Sequence, residues 1–347
     1  MTVRRIFHIQ PGTDGGTERF CISLSQAFSE KGIEQAFAIR PNRDWAGEVE
    51  GLGRVIEGRF LRRTPGGLVD AWRLRRAIEE FNPDAIMAWR APSGRLIPRD
   101  QRAAKVVRLG DYPFHVRHLR DLDAVVCNNR SIDLHIRALG FEGRTEIISN
   151  FSRSVSSHAV PRSEYDTPGD AFLVCGVGRF KRFKGFDLLI DAVAQLDGAH
   201  LWLVGDGPEA ENLLCQAEDL GISGRVKFLG WQDDPTGFLA ACDAYVLPSR
   251  DEALGNTLIE AWRVGVPSVA SMTDGPNWYA EDGRDVLLVP VEDAGAIADA
   301  LRRLAENADL RRRLVDGAQA TLAQRFDRDS VVDAYLDLFD GINAGRK

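Results

Sequence analysis

Both halves of this chain alternate short apolar runs with helical segments, and that alternation leaves few folds open. In the first half, strand-length apolar runs fall at 5–10, 35–39, 85–88, 105–109, 124–127 and 145–148. Helical spacing of apolar residues fits 17–31, 67–81 and 131–139. The second half repeats the alternation, with strands expected at 172–176, 201–204, 226–228, 244–247, 268–270 and 286–289 and helices at 186–196, 209–220, 235–241, 256–263 and 294–307. Strands alternating with helices pair in parallel, with the helices packed on the sheet faces. The expected fold class is therefore α/β, a doubly wound parallel sheet in each half.

A chain of 347 residues exceeds what one core usually supports, which favours two domains. The stretch 152–170 (SRSVSSHAVPRSEYDTPGD) is rich in Ser, Pro and charge and reads as a linker between a first domain at 1–151 and a second at 171–326. In the remainder, 327–347, Val331, Val332, Tyr335, Leu336 and Phe339 mark a final amphipathic helix. Five cysteines, Cys21, Cys127, Cys175, Cys215 and Cys242, are scattered without a CxxC pair and read as buried free thiols in a reducing compartment. The apolar stretch after the basic start Met1 to Arg5 is too short for a signal peptide, and no run has the length of a membrane span, so a cytoplasmic protein is expected.

Charge is unevenly divided. Residues 1–150 hold 24 Lys and Arg against 19 Asp and Glu, whereas 151–347 hold 20 against 32. The first-half cations cluster at Arg54, Arg59, Arg62, Arg63, Arg73, Arg75 and Arg76, and again at Arg99, Arg102, Lys105 and Arg108. Such a domain suits an anionic membrane surface or a phosphorylated glycan; a solvated helix face accounts for the first cluster equally well. Nucleic acid is not expected of a chain that is acidic overall and carries no recognition module.

Chemistry concentrates in the second half. After the apolar run 172–178 come Arg179, Lys181, Arg182 and Lys184, then Gly185-Phe186-Asp187, with Asp187 placed to cap the next helix. A strand, a cationic glycine-bearing loop and a helix start are what a diphosphate needs, because cations and free amides converge on its oxygens. A solvated basic loop is the alternative, and the dinucleotide fingerprint GxGxxG of a dehydrogenase is absent. Further on, Pro248 and Ser249 end a strand and Gly255-Asn256-Thr257 start a helix, with Glu252 in the loop and Glu260 in the first helical turn. Both carboxylates could reach one ligand there; alternatively Thr257 and Glu260 form a capping box.

Taken in order, these elements resemble the retaining glycosyltransferases of the GT-B fold, family GT4 (group 1), over nearly the whole chain. The matching pieces are Gly178-Arg179-Phe180 through Lys184-Gly185, Val204-Gly205-Asp206-Gly207-Pro208, Arg225 to Gly230, Glu252 to Glu260 in a PSxxE…GNxxxEAxxxGVP frame, Gly15-Gly16-Thr17-Glu18, and Ser149-Asn150-Phe151. The resemblance implies two Rossmann-like domains facing across a cleft, the last helix crossing back to the first domain, and a nucleotide diphosphate sugar as donor substrate, with no further cofactor. It implies that Arg179 and Lys184 bind the diphosphate and neutralise the leaving group. It also implies that Glu260 bonds the ribose hydroxyls, and that Glu252 faces the transferred sugar. The amides around Leu254, Gly255 and Asn256 would touch sugar hydroxyls and those of Thr257 and Leu258 the phosphates, while Gly178 and Gly205 line the donor loops. Gly15 and Gly16 would let the first domain's backbone approach the donor.

Two departures stand out. The family often has a histidine after a first-domain strand, but here Gly110 takes that place, leaving Asp111 or His115 as acceptor-side substitutes; His115 reads equally as a solvated loop residue. Trp278 stands about where the family has a glutamate. The expected reaction moves a sugar, with retention and without metal, to a hydroxyl of a glycan or glycolipid acceptor in lipopolysaccharide core or capsule synthesis. Asp121-Leu122-Asp123 spells the DxD of metal-dependent enzymes but precedes an ordinary strand, so no metal site is expected. The rivals are a catalytically silent nucleotide-sugar-binding subunit and a nucleotide-sugar epimerase or phosphorylase on the same fold.

Overall fold

The computed structural model describes residues 2–12, 15–60, 65–151 and 158–346; Arg62 and Arg63 of the first basic cluster lie outside them. The chain forms two compact units, Met1–Phe151 with Arg328–Lys347, and Ser152–Asp327.

Unit 1 runs β1 (Arg5–Gln10), α1 (Gly16–Glu30), β2 (Glu34–Ile39), α2 (Ala46–Glu50), β3 (Gly53–Glu57), α3 (Pro65–Phe81), β4 (Ala85–Trp89), β5 (Ala104–Leu109), β6 (Ala124–Cys127), α4 (Arg130–Ala138) and β7 (Thr145–Ile147). Its seven strands lie in the order β3-β2-β1-β4-β5-β6-β7, every pair parallel. The direction of winding reverses between β1 and β4, and ligands of open α/β sheets sit beyond the strand C-termini at such points. β4 (AIMAW) is wholly buried, as a central strand covered on both faces must be. Sequence reading omits β3 and α2: β3 (GRVIE) is a half-exposed edge strand with no continuous apolar run, and α2 is only five residues long.

Unit 2 runs β8 (Leu173–Val177), α5 (Phe186–Ala194), β9 (His200–Val204), α6 (Ala210–Asp219), β10 (Val226–Phe228), α7 (Thr236–Ala241), β11 (Ala244–Leu247), α8 (Asn256–Arg263), β12 (Ser268–Ser271), α9 (Asp274–Tyr279), β13 (Leu287–Val289), α10 (Ala294–Glu306) and α11 (Ala308–Arg325). Six parallel strands take the order β10-β9-β8-β11-β12-β13, so winding reverses between β8 and β11. One face packs Leu189, Ile190, Leu301 and Leu314 against the sheet; the other packs Phe238, Leu258 and Trp262 around Trp202 and Tyr245.

Several expectations need correction. The stretch 273–279, to which sequence reading assigns no element, contains α9. The helix α11 is absent from the sequence reading because it buries only Leu310, Leu314, Ala318, Thr321 and Leu322, a stripe too narrow to stand out among its arginines. Of the linker 152–170, residues 152–157 lie outside the described residues, and the rest packs on unit 2. The Val160 amide donates to the Gly237 carbonyl at 3.0 Å, and Trp202 Nε1 donates to Thr167 Oγ1 at 2.9 Å. Cys215 is exposed, because α6 turns only Leu213 and Ala217 inward.

The last helix, α12 (Arg328–Ala344), completes the core of unit 1. Val331, Val332, Tyr335, Leu338, Phe339 and Ile342 form one buried face, packed with Phe20, Leu24 and Phe28 of α1. Polar ties fix it at both ends: Arg328 pairs with Glu30 at 2.7 Å, Lys31 with Asp333 at 2.6 Å, and the Val3 amide donates to Asp340 at 2.8 Å.

Candidate functional site

The site-bearing residues of unit 2 gather where its winding reverses, at the C-terminal ends of β8 and β11. Two glycines make that possible. Gly205, after β9, has φ 144°, and a Cβ there would fall 1.9 Å from the Gly178 carbonyl oxygen, so the loops after β8 and β9 meet backbone to backbone. Phe180 then donates its amide to the Asp206 carbonyl at 2.8 Å. Gly185, with φ 70°, closes a short 3-10 turn at Arg182–Lys184 and precedes α5; its Cβ would fall 2.0 Å from the Pro248 carbonyl oxygen. That approach presses the cationic turn onto the end of β11.

Lys184 and Glu252 meet as a result. Lys184 Nζ lies 2.5 Å from Glu252 Oε2, with the side chains 22% and 14% exposed, and Ser249 Oγ donates to the same oxygen at 3.3 Å. A half-buried pair of this kind is far less screened than a surface one, and removing one partner leaves the other charge poorly compensated. Arg179 is exposed and makes no ion pair among the described residues.

Arg250, which sequence reading passed over, ties the two loops together. Its guanidinium takes both carboxylate oxygens of Asp187 at 2.7 Å, Glu292 at 2.5 Å and the Arg182 carbonyl at 2.7 Å, while its amide donates to the Phe183 carbonyl at 2.8 Å. Hydrogen bonding to Asp187 above all raises its already high pKa. Burial pushes Asp187 up, yet the bonds and charge of Arg250 outweigh it and leave that carboxyl below its usual value. Asp187 is thus engaged by an arginine within the first turn of α5 and is no helix cap; Gly185 holds the cap position without a side-chain bond. The signal that could have found Arg250 is its place in the run Pro248-Ser249-Arg250-Asp251-Glu252, one strand end away from four other cations.

At the start of α8 the N-cap is Gly255, φ 84°, with no side-chain cap. The capping-box alternative fails because the Thr257 hydroxyl instead meets the Tyr245 hydroxyl at 2.6 Å. Glu260 is the fifth residue of the helix, one turn beyond its start and not within the first turn, and is partly exposed. The Leu258 amide donates to the Gly255 carbonyl at 3.0 Å, so it is already committed within the turn. Gly255 has no room for a Cβ, which would fall 2.9 Å from Leu247 and 3.4 Å from the Tyr279 hydroxyl. That hydroxyl is buried with no hydrogen-bond partner, and burial first, then the charge of Glu252, raises its pKa well above 10. Leu254 is buried against Gly275, whose amide donates to the Glu252 carbonyl at 2.9 Å. Cations beside a helix N-terminus are suited to anionic phosphate.

The remaining expected residues belong to unit 1. Gly15 and Gly16 stand at the start of α1. Next to them Glu18 is fully buried and pairs with Arg90 at 3.4 Å, a residue held at φ 70°. Asp111 is exposed, and the His115 ring lies edge-on to His118 at 5.0 Å. At position 110 the structure explains the missing histidine. A Cβ on Gly110 would fall 2.4 Å from Arg108 Nη1, and Arg108, 1% exposed, stacks on Phe20 at 5.0 Å and donates to Asn150. A buried arginine occupies that space. Of the DxD run, Asp121 pairs with Arg99 at 2.7 Å and Asp123 accepts the Lys105 amide at 2.6 Å.

Comparison with known proteins adds a family. The sequence model described as "Glycosyl transferases group 1" matches residues 161–321. The chain is 42% identical over 336 residues to the lipopolysaccharide core biosynthesis glycosyltransferase LpsD of Rhizobium meliloti (strain 1021), covering 97% of this chain and 98% of that protein. It is 40% identical over 334 residues to LpsE of the same organism, covering 96% and 98%. Among solved structures, Anabaena Alr3699/HepE in complex with UDP and glucose superposes with a TM-score of 0.83 at 23% identity, over 97% of this chain and all of that one. The likeness establishes two GT-B Rossmann-like domains as the fold.

Proposed function

Since this chain belongs to the group 1 glycosyl transferases, and is a glycosyltransferase of the GT-B fold, we propose that it moves a sugar from a nucleotide diphosphate sugar to a hydroxyl of a membrane-borne glycolipid in lipopolysaccharide core assembly. The observation that carries the reading is the convergence of Arg179, the Lys184–Glu252 pair and the α8 N-terminus at one winding reversal. Breaking the sugar–phosphate bond puts charge on the diphosphate, and fixed cations and amides stabilise that charge without reorganising. Arg179 and Lys184 supply two of those cations and the amides at the start of α8 the rest of the cradle. Glu260 takes the ribose hydroxyls. Glu252, held by Lys184 and Ser249, orients the transferred sugar, and the leaving phosphate takes the acceptor proton on the face it departs from, so configuration is retained. Gly178 and Gly205 shape the donor loops; Gly15 and Gly16 leave the start of α1 open to substrate, and Asp111 and His115 lie on the acceptor side. Countercharge comes from side chains, so the account calls for no divalent ion.

Support for the acceptor class comes from the two relatives above 40% identity, both core-biosynthesis enzymes, and from the five-charge cationic surplus of residues 1–150, which suits an anionic acceptor at a membrane surface. The test is transfer of radiolabelled sugar from a panel of nucleotide sugars to truncated lipopolysaccharide, with the anomer read by NMR. The expected result is product of unchanged anomeric configuration, formed equally with and without EDTA. Transfer to a soluble small molecule and to no lipopolysaccharide, or inversion, would overturn it.

A further inference from the structure

Tyr279, the last residue of α9, carries a hydroxyl that the fold buries and leaves without a hydrogen-bond partner among the described residues. A buried donor without an acceptor costs stability, so a hydroxyl kept in that state points to a partner that it meets in another state of the protein. Tyr279 is 4% exposed, and edge-on contacts with Trp262 at 5.5 Å and Phe326 at 5.1 Å fix its ring. The hydroxyl keeps its place, and the partner has to come to it.

Glu252 is placed to be that partner. A Cβ on Gly255 would fall 3.4 Å from the Tyr279 hydroxyl and 3.5 Å from Glu252 Cγ, so the two residues face each other across the space that the glycine leaves clear. The carboxylate lies beyond Cγ and comes within reach of the hydroxyl by turning about its own side-chain bonds. No backbone shift is needed. The Gly275 amide, which donates to the Glu252 carbonyl at 2.9 Å, ties the start of α9 to the loop that carries the glutamate. Burial first, and then the charge of Glu252, keeps the hydroxyl protonated and therefore a donor.

In the structure the carboxylate is held instead by Lys184 at 2.5 Å and Ser249 at 3.3 Å. A diphosphate that takes the Lys184 ammonium leaves a carboxylate only 14% exposed short of its countercharge. That loss is costly unless another donor replaces the lysine.

We propose that Tyr279 is a positioning residue for the donor. When the diphosphate draws Lys184 away, the Glu252 carboxylate turns to accept a hydrogen bond from the Tyr279 hydroxyl, and that bond holds it facing the transferred sugar. The inference rests on the donor site proposed above and adds a residue which that reading does not use.

The experiment compares the native protein, Tyr279→Phe, Glu252→Gln and the double variant, by melting temperature and by calorimetric titration with UDP, GDP, ADP and dTDP. Tyr279→Phe removes the hydroxyl and keeps the ring, so the unliganded melting temperature should equal or exceed the native value. Affinity for the diphosphate that binds the native protein should nevertheless fall about tenfold, the scale of one lost hydrogen bond to a charged group. In Glu252→Gln no carboxylate has to be satisfied, and there Tyr279→Phe should change affinity less than twofold, a coupling that a merely structural tyrosine would not show. A lower melting temperature in Tyr279→Phe, native affinity in that variant, or an equal loss with and without Glu252 would overturn the proposal and leave the donor site standing. Failure of every nucleoside diphosphate to bind the native protein would overturn both.

Discussion

Lys184 and Glu252 hold each other at 2.5 Å, so the diphosphate of the proposed donor would have to compete with Glu252 for the ammonium. The competition gives the pair a testable signature. Lys184→Ala should lower kcat by about 10²–10³-fold, the scale seen when one oxyanion-stabilising donor is removed. Glu260→Ala, one helical turn further on, should mainly raise the donor KM, because ribose contacts persist unchanged from ground to transition state. Unchanged kinetics in both variants would refute the site. Most of these residues were legible beforehand because their chemistry is carried by order and spacing along the chain. Arg250 was not: its importance comes from four partners contributed by two separate segments, 182–187 and 292, and no local pattern announces that. Nor was Arg108, whose role at position 110 follows from where a buried guanidinium folds back.

At the scale of elements, the site depends on loops that touch through glycine, and two glycines of unit 2 separate conformation from contact. Gly198 has φ 72° with nothing within 4 Å of a Cβ, whereas at Gly205, φ 144°, a Cβ would overlap the Gly178 carbonyl. Gly198→Ala should therefore cost about 1 kcal/mol from left-handed strain alone. Gly205→Ala should cost about 1–3 kcal/mol more, because backbone must move, and it should also weaken donor binding. Denaturant unfolding followed in unit 2 compares the two; equal losses would show that the loops yield more easily than the geometry implies. Strands and helices with a broad apolar face were readable because burial imposes a period. The helices α9 and α11 were missed for opposite reasons, one being six residues in a Gly-Pro-rich stretch and the other presenting a narrow stripe.

Over the whole molecule, the two units differ in charge, and the core of unit 1 buries a histidine. His8, wholly buried on β1 and bonded to Gln35 at 3.0 Å, has its pKa lowered by burial to about 4, against the opposing effect of that bond. Because the folded value lies below the unfolded value of 6.5, His8 contributes full stability above pH 6.5. That contribution is lost as pH falls toward 4, at about 1.4 kcal/mol per unit. His8→Gln should flatten the acid side of the unfolding profile of unit 1 between those values; an unaltered slope would mean that His8 is solvated as pH falls. The central claim concerns unit 2, and its most direct test is the melting temperature measured across UDP-, GDP-, ADP-, dTDP- and CMP-linked sugars, in the native protein and in Arg179→Ala. Tight donor binding raises the melting temperature by linkage. The account predicts a rise for one nucleotide class that vanishes in the variant; no rise with any nucleotide sugar, or a rise that survives loss of Arg179, would contradict it.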